Sequence, residues 1–416
     1  MRIIYNLVIF CYGLGLRVAA FFNAKAALFI NGRKGLFQQI EAFKATTTGH
    51  PLIWMHCASL GEFEQGRPVI EGIKQQFPNT KIALTFFSPS GYELRKDYAL
   101  ADLVCYLPLD LPGRAQRFVQ LLKPNQAIFV KYEFWMNHLR ALRQNDIPVV
   151  LISAVFRSGQ PFFQPYGKLF LRELRAFDHL FVQDRDSAVL LESVGINQFT
   201  IAGDTRIDRV ISIAEQAKDY PAISQFSEGA SVLICGSTWG GDEAILLPFV
   251  NEELPKQWKV IIAPHDIKTA RILEIEQKLK VPYQRFSQLD SNKLAESKVL
   301  IIDNIGMLSS LYRYGTIAYI GGGFGVAIHN TLEPMAFEIP VIFGPKFEKF
   351  IEARLMTQRG GAFPIRDIQD FRQVFTRLQH ADQYRNAVEI IRQFLEENKG
   401  SSTQVLQYLR SKNLLL

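Results

Sequence analysis

The chain has 416 residues, with 47 Lys and Arg against 40 Asp and Glu and a formal net charge of +7. Hydrophobic residues make up 48% of it and charged residues 21%, which excludes an intrinsically disordered protein and is typical of a globular one. The basic excess favours anionic partners, but no long run of Lys and Arg occurs, which argues against nucleic acid as a partner. The length predicts two domains rather than one.

The N-terminal residues 3–16, IIYNLVIFCYGLGL, carry no charge. Arg17 ends this run, and Lys25, Arg33 and Lys34 follow it. A bilayer span needs about 20 apolar residues, so the segment is of marginal length. A signal peptide and an amphipathic helix packed on the protein's own surface are the alternatives. Because positive residues stay on the cytoplasmic side and attract anionic lipid, we expect residues 1–35 to associate with the cytoplasmic face of a membrane.

From residue 50 onward, short apolar runs alternate with helical stretches, which predicts parallel sheets covered by helices on both faces. Strands of a first set are predicted at residues 52–58, 82–87, 103–107, 127–130, 149–152, 179–182 and 199–202. Strands of a second set are predicted at residues 232–235, 259–263, 299–302, 317–320 and 341–343. Helices are predicted between them, among others at residues 66–76, 133–144, 243–250, 269–279 and 307–314, and over the tail 367–414.

A more polar stretch at residues 215–229 is interpreted as the linker between the two sets. The predicted fold class is therefore α/β, with two Rossmann-like, doubly wound domains at residues 36–214 and 215–416 that face a cleft. In such folds ligands bind at the carboxyl ends of the strands, so the candidate residues are sought there.

The first candidate site lies at residues 56–64, His-Cys-Ala-Ser-Leu-Gly-Glu-Phe-Glu, where a predicted strand ends and a helix begins. Small residues and Gly61 allow a sharp turn that displays Glu62 at the top of the sheet. A carboxylate in this position can accept a proton from a sugar hydroxyl as a general base. The alternative is that Glu62 only complements the dipole of the helix that follows.

The second candidate site is the glycine cluster at residues 321–325, followed by His329, Asn330 and Glu333 at a predicted helix start. Glycines allow close approach of the backbone to a phosphate, and a helix N-terminus supplies N–H donors. Glu333 could then hold ribose hydroxyls. The pattern is neither a Walker A loop nor a dinucleotide fingerprint, because Gly-Lys-Ser/Thr and G-x-G-x-x-G are both missing. It predicts a site for a nucleotide phosphate.

Three further turns end predicted strands in the second half, at residues 236–239, 263–266 and 303–306. Each could line the same site, and each could equally be an ordinary helix cap or turn. The seven histidines do not cluster, and no His-x-x-x-His or Asp-x-Asp pattern accompanies these turns, so no metal site is predicted. The four cysteines form no Cys-x-x-Cys pair and are interpreted as thiols in a reducing compartment.

These residues resemble the 3-deoxy-D-manno-oct-2-ulosonic acid (Kdo) transferases over nearly the whole chain. Residues 56–63 resemble the early family motif, whose Glu is taken as the catalytic base, and residues 130–137, Val-Lys-Tyr-Glu-Phe-Trp-Met-Asn, resemble a second. Residues 203–208 are similar to the family's Gly-Asn-x-Lys-Phe-Asp, and residues 236–238 and 321–345 to its nucleotide motifs. Three positions depart from the family: Trp239 stands in place of His, Ala263-Pro264-His265 in place of Pro-Arg-His, and Gly306-Met307-Leu308 in place of Gly-Glu-Leu.

The resemblance implies a GT-B architecture whose last helices cross back onto the first domain. It implies an inverting glycosyltransferase that moves Kdo from CMP-Kdo to a lipid A precursor (lipid IVA) in lipopolysaccharide core biosynthesis, at the cytoplasmic face of the inner membrane and without cofactor or metal. Glu62 would be catalytic, and Ser59, Gly61, Lys131 and Glu133 would bind substrate. The nucleotide would be bound by Ser237, Thr238, Pro264, His265, Ile305, Gly306, Gly323, Asn330 and Glu333.

Two other functions stay open. One is a GT-B transferase that uses a UDP-sugar and a lipid acceptor, and the other is a non-catalytic lipid- or nucleotide-binding homologue. The three departures support the second alternative, whereas the presence of Glu62, Asn330 and Glu333 argues against it.

Overall fold

The computed structural model describes residues 2–412, apart from the side chains of residues 168 and 169. The chain forms two compact units. The first unit runs to Asp208 and resumes at Asn398, and the second unit is Arg209–Glu397. The sequence placed the boundary at 214/215, whereas the units divide inside a helix, Thr205–Glu215. Residues 413 and 414 of the predicted helical tail lie outside the described residues.

The first unit is built on a seven-stranded parallel sheet in the order β3-β2-β1-β4-β5-β6-β7. Its strands are β1 (Leu52–Cys57), β2 (Lys81–Phe86), β3 (Leu103–Tyr106), β4 (Gln126–Val130), β5 (Val149–Ala154), β6 (His179–Val182) and β7 (Phe199–Ile201). All seven predicted strands are present. β1 pairs with both β2 and β4, so the strand order reverses between β1 and β4. A doubly wound sheet opens a crevice at such a reversal.

Ten helices surround this sheet in the described part of the unit. They are α1 (Arg2–Ala19), α2 (Ala24–Asn31), α3 (Leu36–Thr46), α4 (Leu60–Gln76), α5 (Pro89–Arg95), α6 (Pro112–Leu122), α7 (Met136–Gln144), α8 (Lys168–Leu174), α9 (Arg185–Ser193) and α19 (Ser401–Ser411). α19 packs on α4, where a Cβ atom at Gly72 would overlap the side chain of Leu406. The core therefore uses residues from both ends of the sequence.

The second unit has its own seven-stranded parallel sheet, in the order β10-β11-β9-β8-β12-β13-β14. Its strands are β8 (Ser231–Thr238), β9 (Trp258–Pro264), β10 (Tyr283–Arg285), β11 (Val299–Ile301), β12 (Ile317–Ile320), β13 (Val341–Phe343) and β14 (Ala362–Pro364). The short β10 and β14 were not predicted, because three residues give too short a pattern. The strand order reverses between β8 and β12.

The remaining helices are α10 (Thr205–Glu215), α11 (Pro221–Ser227), α12 (Gly240–Glu252), α13 (Thr269–Lys278), α14 (Leu308–Leu311), α15 (Leu332–Met335), α16 (Ile351–Arg359), α17 (Ile368–Gln379) and α18 (Ala381–Asn398). The prediction of a linker at 215–229 is wrong, because this stretch contains α11, whose Ile223 and Phe226 are buried. Pro221 stands in the first turn of α11, where its missing N–H is not needed. The sequence interpretation took Pro221 for a loop signal.

Candidate active site

In the first unit, β1 leads directly into α4 at the strand reversal. Ser59 occupies the N-cap position of α4 with extended backbone, and Glu62 lies in the first turn. The hydroxyl of Ser59 donates a hydrogen bond to the Glu62 carboxylate. Glu62 is half-buried and Gly61 is exposed. The side chain of Glu62 is therefore oriented at the carboxyl end of the sheet while it stays accessible, as a general base requires.

A residue with strained backbone follows the neighbouring strand β4 directly. Lys131 has a left-handed φ of 71° although it is not glycine, and its amide donates to the carbonyl of Ile152 at 2.9 Å. Such a conformation costs about 1–3 kcal/mol and concentrates at functional sites. The helix predicted at 133–144 begins only at Met136, because Trp135 has extended backbone and Asp110 caps the first turn that follows it. Residues 131–135 form a loop beside the reversal point.

Electrostatics link this loop to Glu62. The pKa of Tyr132 is raised, first by burial and further by the charges of Asp184 and Glu62, while Arg157 opposes the shift. The two sequence motifs therefore meet at one edge of the sheet. The sequence interpretation missed Arg157 and Asp184, which follow β5 and β6. The only sequence signal for a site at these two residues is their position after an apolar strand. For Asp184 this signal is ambiguous, because its side chain also caps α9 by accepting from the amide of Ser187.

Glu133 has a different place from the one predicted for a substrate-binding residue. It is buried, and its carboxylate lies 3.1 Å from His56 Nε2 and accepts a hydrogen bond from the Trp135 indole. His56 Nδ1 is 2.8 Å from the hydroxyl of Thr85. His56 and Glu133 are buried and support the loop from beneath, whereas Lys131, Tyr132 and Trp135 are partly exposed.

In the second unit, the glycine cluster follows β12, next to the end of β8. A Cβ atom at Gly321 would overlap the carbonyl oxygen of Ser237, and one at Gly323 would lie 2.6 Å from the Cα of Gly344. Gly322 has φ of +94°. These three glycines are thus required by contacts within the chain itself, so their presence alone is weaker evidence for a phosphate site than the sequence suggested.

Asp242 holds the glycine cluster to the start of α12. Its carboxylate is fully buried and accepts hydrogen bonds from the amides of Trp239 and Gly322 and from the hydroxyl of Tyr319, each at 2.9 Å. The sequence interpretation missed this residue, although an acidic side chain three positions after an N-cap is a recognised capping signal.

Three aromatic rings meet over the same strand ends. His265 stacks on Trp239 and on His329, with ring centroids 4.5 Å apart in both pairs. The indole N–H of Trp239 donates to Nε2 of His329 at 3.1 Å. Trp239 and His329 therefore lie side by side under one face of His265. Burial lowers the pKa of His329, and the adjacent His265 lowers it further, which favours the neutral ring that accepts this hydrogen bond.

The other predicted nucleotide residues divide into interior and accessible ones. Thr238 is buried, with its hydroxyl on Glu243 at 3.0 Å, and Pro264 is buried at the end of β9. Ser237 has a left-handed φ of 54° and is half-buried. Ile305 is 87% exposed in the loop after β11, beside Gly306.

Asn330 and Glu333 lie at a shorter helix than the sequence predicted. The side chain of Asn330 donates to Glu333 at 3.0 Å and accepts from the amide of Leu332, so Asn330 caps α15. Because α15 has only four residues, its helix dipole is small. Individual backbone N–H groups near its start would have to supply most of the positive potential for a phosphate. Within residues 2–412 no three His, Cys, Asp or Glu side chains are grouped to hold a metal ion.

Residues 31–209 match the family model described as 3-Deoxy-D-manno-octulosonic-acid transferase (kdotransferase). The 3-deoxy-D-manno-octulosonic acid transferase of Aquifex aeolicus is 28% identical over 319 residues, covering 74% of this chain and 80% of the relative. The Haemophilus influenzae enzyme of the same name is 26% identical over 371 residues, covering 86% of each chain.

Solved structures agree on the fold. The UDP-GlcNAc 2-epimerase of Neisseria meningitidis bound to UDP-GlcNAc superposes with a TM-score of 0.61 at 15% identity, covering 86% of this chain and all of that one. The S. aureus MnaA–UDP structure gives a TM-score of 0.57 at 13% identity, covering 88% and 98%. The predicted α/β class with two Rossmann-like domains is confirmed. The chain is therefore similar in sequence to the Kdo transferases, and it has the GT-B fold.

Proposed function

We propose that this protein is an inverting transferase that moves Kdo from CMP-Kdo to a lipid A precursor. The observation that carries the proposal is the placement of Glu62, oriented by Ser59 and accessible at the strand reversal of the first unit. Glu62 takes the proton from the acceptor hydroxyl while that oxygen attacks the anomeric carbon of Kdo and CMP leaves. The transition state has the oxocarbenium character of other glycosyl transfers.

Cationic side chains beside Glu62 suit acidic substrates. Lys131 and Arg157 follow β4 and β5 at the same edge of the sheet. Arg157 and Glu62 both lie close enough to Tyr132 to shift its pKa, Arg157 downward and Glu62 upward. Kdo is an acidic sugar and a lipid A precursor carries phosphates, so both offer anionic groups that these side chains can orient. Orientation of this kind is a main source of rate in displacement reactions.

The second unit is proposed to bind CMP at the ends of β8, β9, β11 and β12. Among the predicted residues there, His265, Ile305, Gly306 and Asn330 are exposed. Glu333 and Ser237 are half-buried. Glu333 would hold the ribose, and backbone amides near Asn330 would face the phosphate. CMP has a single phosphate to neutralise, so we propose that the protein supplies this neutralisation without a metal ion.

The first helix fits a lipid acceptor. α1 is long and apolar enough to cross a membrane by length and composition. Large apolar side chains remain exposed on it and in the turn that follows, namely Ile3, Ile4, Leu7, Val8, Phe10, Leu14, Val18, Phe21 and Phe22. A neighbouring cavity includes Arg17, Lys34 and Arg114 in its lining. We propose that this surface binds the anionic cytoplasmic leaflet of the inner membrane.

The test is transfer of Kdo from freshly generated CMP-Kdo to a lipid A precursor in the presence of EDTA. Wild type should be active, and Glu62→Ala should lose about 10²–10⁴-fold in rate, the usual contribution of a general base, while its stabilisation by CMP is retained. Glu64→Ala is the matched control. Glu64 lies on α4 two residues after Glu62, but its carboxylate pairs with Arg95 of α5.

Near-normal turnover by Glu62→Ala would rule out the proposed base. Inactive wild type that is stabilised against unfolding by UDP rather than CMP would favour the UDP-sugar alternative. A folded wild type without transfer and without stabilisation by either nucleotide would favour a homologue that lacks catalysis.

A further inference from the structure

α1 has a second face that is not available to lipid. Tyr5, Asn6, Ile9, Gly13 and Leu16 are less exposed than their neighbours, and this spacing of three to four residues marks one side of the helix. Gly13 is buried, and a Cβ atom there would lie 2.6 Å from the side chain of Leu109, so α1 approaches closely at this position. The inner face of α1 therefore packs against the rest of the first unit. The apolar side chains proposed to contact lipid lie on the opposite face.

Hydrogen bonds connect this inner face to the start of α7. The hydroxyl of Tyr5 donates to the Asp110 carboxylate at 2.6 Å, and Asn137 donates to the Asn6 side chain at 2.9 Å. Asp110 is fully buried and also accepts from the amides of Asn137 and His138 at 3.0 and 2.9 Å. Asp110 thus caps α7, whose first residue follows Trp135 directly.

Aromatic contacts make a second connection. The ring of Tyr12 lies parallel to that of Phe87, with 6.4 Å between centroids, and Phe87 contacts Trp135 at 4.5 Å. The Trp135 indole then reaches Glu133 and His56. The aromatic connection ends on Trp135, in the loop of residues 131–135, and the hydrogen bonds end on Asn137 and His138, directly after it. This loop carries the strained Lys131 and lies beside Glu62.

We infer that α1 is a positioning element of the active site as well as a lipid-facing helix. A strained loop keeps its conformation only if many surrounding contacts hold it there. Here α1 contacts Asp110 and Phe87, and these two residues hold the C-terminal side of the loop at α7 and at Trp135. Tyr5, Asn6 and Tyr12 are positioning residues, since none of them contacts the reacting groups. The inference rests on the proposed function, and it predicts that α1 is needed even when no membrane is present.

The experiment compares the two faces of α1. Tyr5→Phe and Tyr12→Leu change the inner connections, while Ile4→Ser and Val8→Ser, at positions 62% and 58% exposed, change only the outer face. Each full-length variant is assayed with a water-soluble, phosphorylated glucosamine disaccharide lacking acyl chains, and with lipid A precursor in vesicles of phosphatidylethanolamine and phosphatidylglycerol. Thermal unfolding confirms that each variant is folded.

Tyr5→Phe, on the inner face, and Tyr12→Leu, at a position 45% exposed beside it, should each lose about tenfold in kcat/KM with both acceptors, because small displacements at a reacting centre are costly in rate. Outer-face variants should keep the wild-type rate with the soluble acceptor and lose rate only with vesicles. Wild-type kinetics of Tyr5→Phe and Tyr12→Leu with the soluble acceptor would overturn the inference.

Hydrogen exchange gives a readout that does not depend on transfer. The amides of Asn137 and His138, which donate to Asp110, should exchange faster in Tyr5→Phe than in Val8→Ser. Equal exchange in these two variants would contradict the positioning role, even if wild type were inactive in every transfer assay. Inactive wild type with the expected difference in exchange would instead count against the proposed function alone.

Discussion

Removal of the Asp242 carboxylate should destabilise the second unit more than any surface change. In Asp242→Ala the amides of Trp239 and Gly322 and the hydroxyl of Tyr319 lose their buried acceptor. A buried donor left without a partner costs about 1–3 kcal/mol, and the Tyr319 hydroxyl can turn to another acceptor. We therefore expect a loss of about 3–5 kcal/mol in the free energy of unfolding.

For a unit of this size, such a loss lowers the melting temperature by about 6–20 °C. Asp242→Asn is the matched control, because one amide oxygen can still accept from both backbone amides while Tyr319 becomes an acceptor. It should lose only about 1 kcal/mol. Thermal unfolding followed by tryptophan fluorescence, with and without CMP, measures the stability of the unit and its ligand-induced stabilisation together.

The glycine cluster should move once Asp242 no longer holds Gly322, so Asp242→Ala should also lose its stabilisation by CMP. If Asp242→Ala melts within about 2 °C of wild type, the loss is below about 1 kcal/mol and the reasoning from buried donors is refuted. If it melts early but keeps the full effect of CMP, the glycine cluster does not form the nucleotide site.

Two further predictions concern the same strand ends. Gly321→Ala should cost about 1–3 kcal/mol in the free energy of unfolding, because its methyl group would overlap the carbonyl of Ser237, and it should abolish stabilisation by CMP. Gly325→Ala, in more open space, is the control for the unfolding measurement. The pKa of His329 is lower in the folded protein than the unfolded-state pKa of about 6.5. The contribution of His329 to the free energy of unfolding is therefore complete above about pH 6.5 and is lost as the pH falls through the pKa of the folded state. Protonation ends its acceptance of the indole hydrogen bond, so Trp239 emission should change below about pH 6.5, and Trp239→Phe should lack this change.

The sequence predicted the strands because buried parallel strands are nearly continuous apolar runs, and each of the predicted runs forms a strand. The positions of Ser59, Glu62 and Lys131 at strand ends followed from the same pattern. Their proximity across the sheet did not, because it depends on the pairing of β1 with β4, which no local pattern specifies.

The aromatic cluster and the Glu133 contacts were beyond prediction for a related reason. Trp239, His265 and His329 come from three separate loops, and only the adjacency of β9, β8 and β12 brings them together. The resemblance implies that Glu133 binds substrate, and local sequence gives no sign of its contacts. Its burial against His56 depends on the loop conformation that begins with the left-handed backbone of Lys131.

The return of the chain to the first unit has a consequence for biosynthesis. α4, which carries Glu62, packs against α19, and the hydroxyl of Ser401 donates to the carbonyl of Ala202 while Asp208 accepts from the amides of Gly400 and Ser402. A ribosome releases residues 401–411 only after the whole second unit has been made. Until then, α4 exposes the apolar surface that α19 covers, so the nascent first unit should remain a substrate for chaperones throughout synthesis of the second.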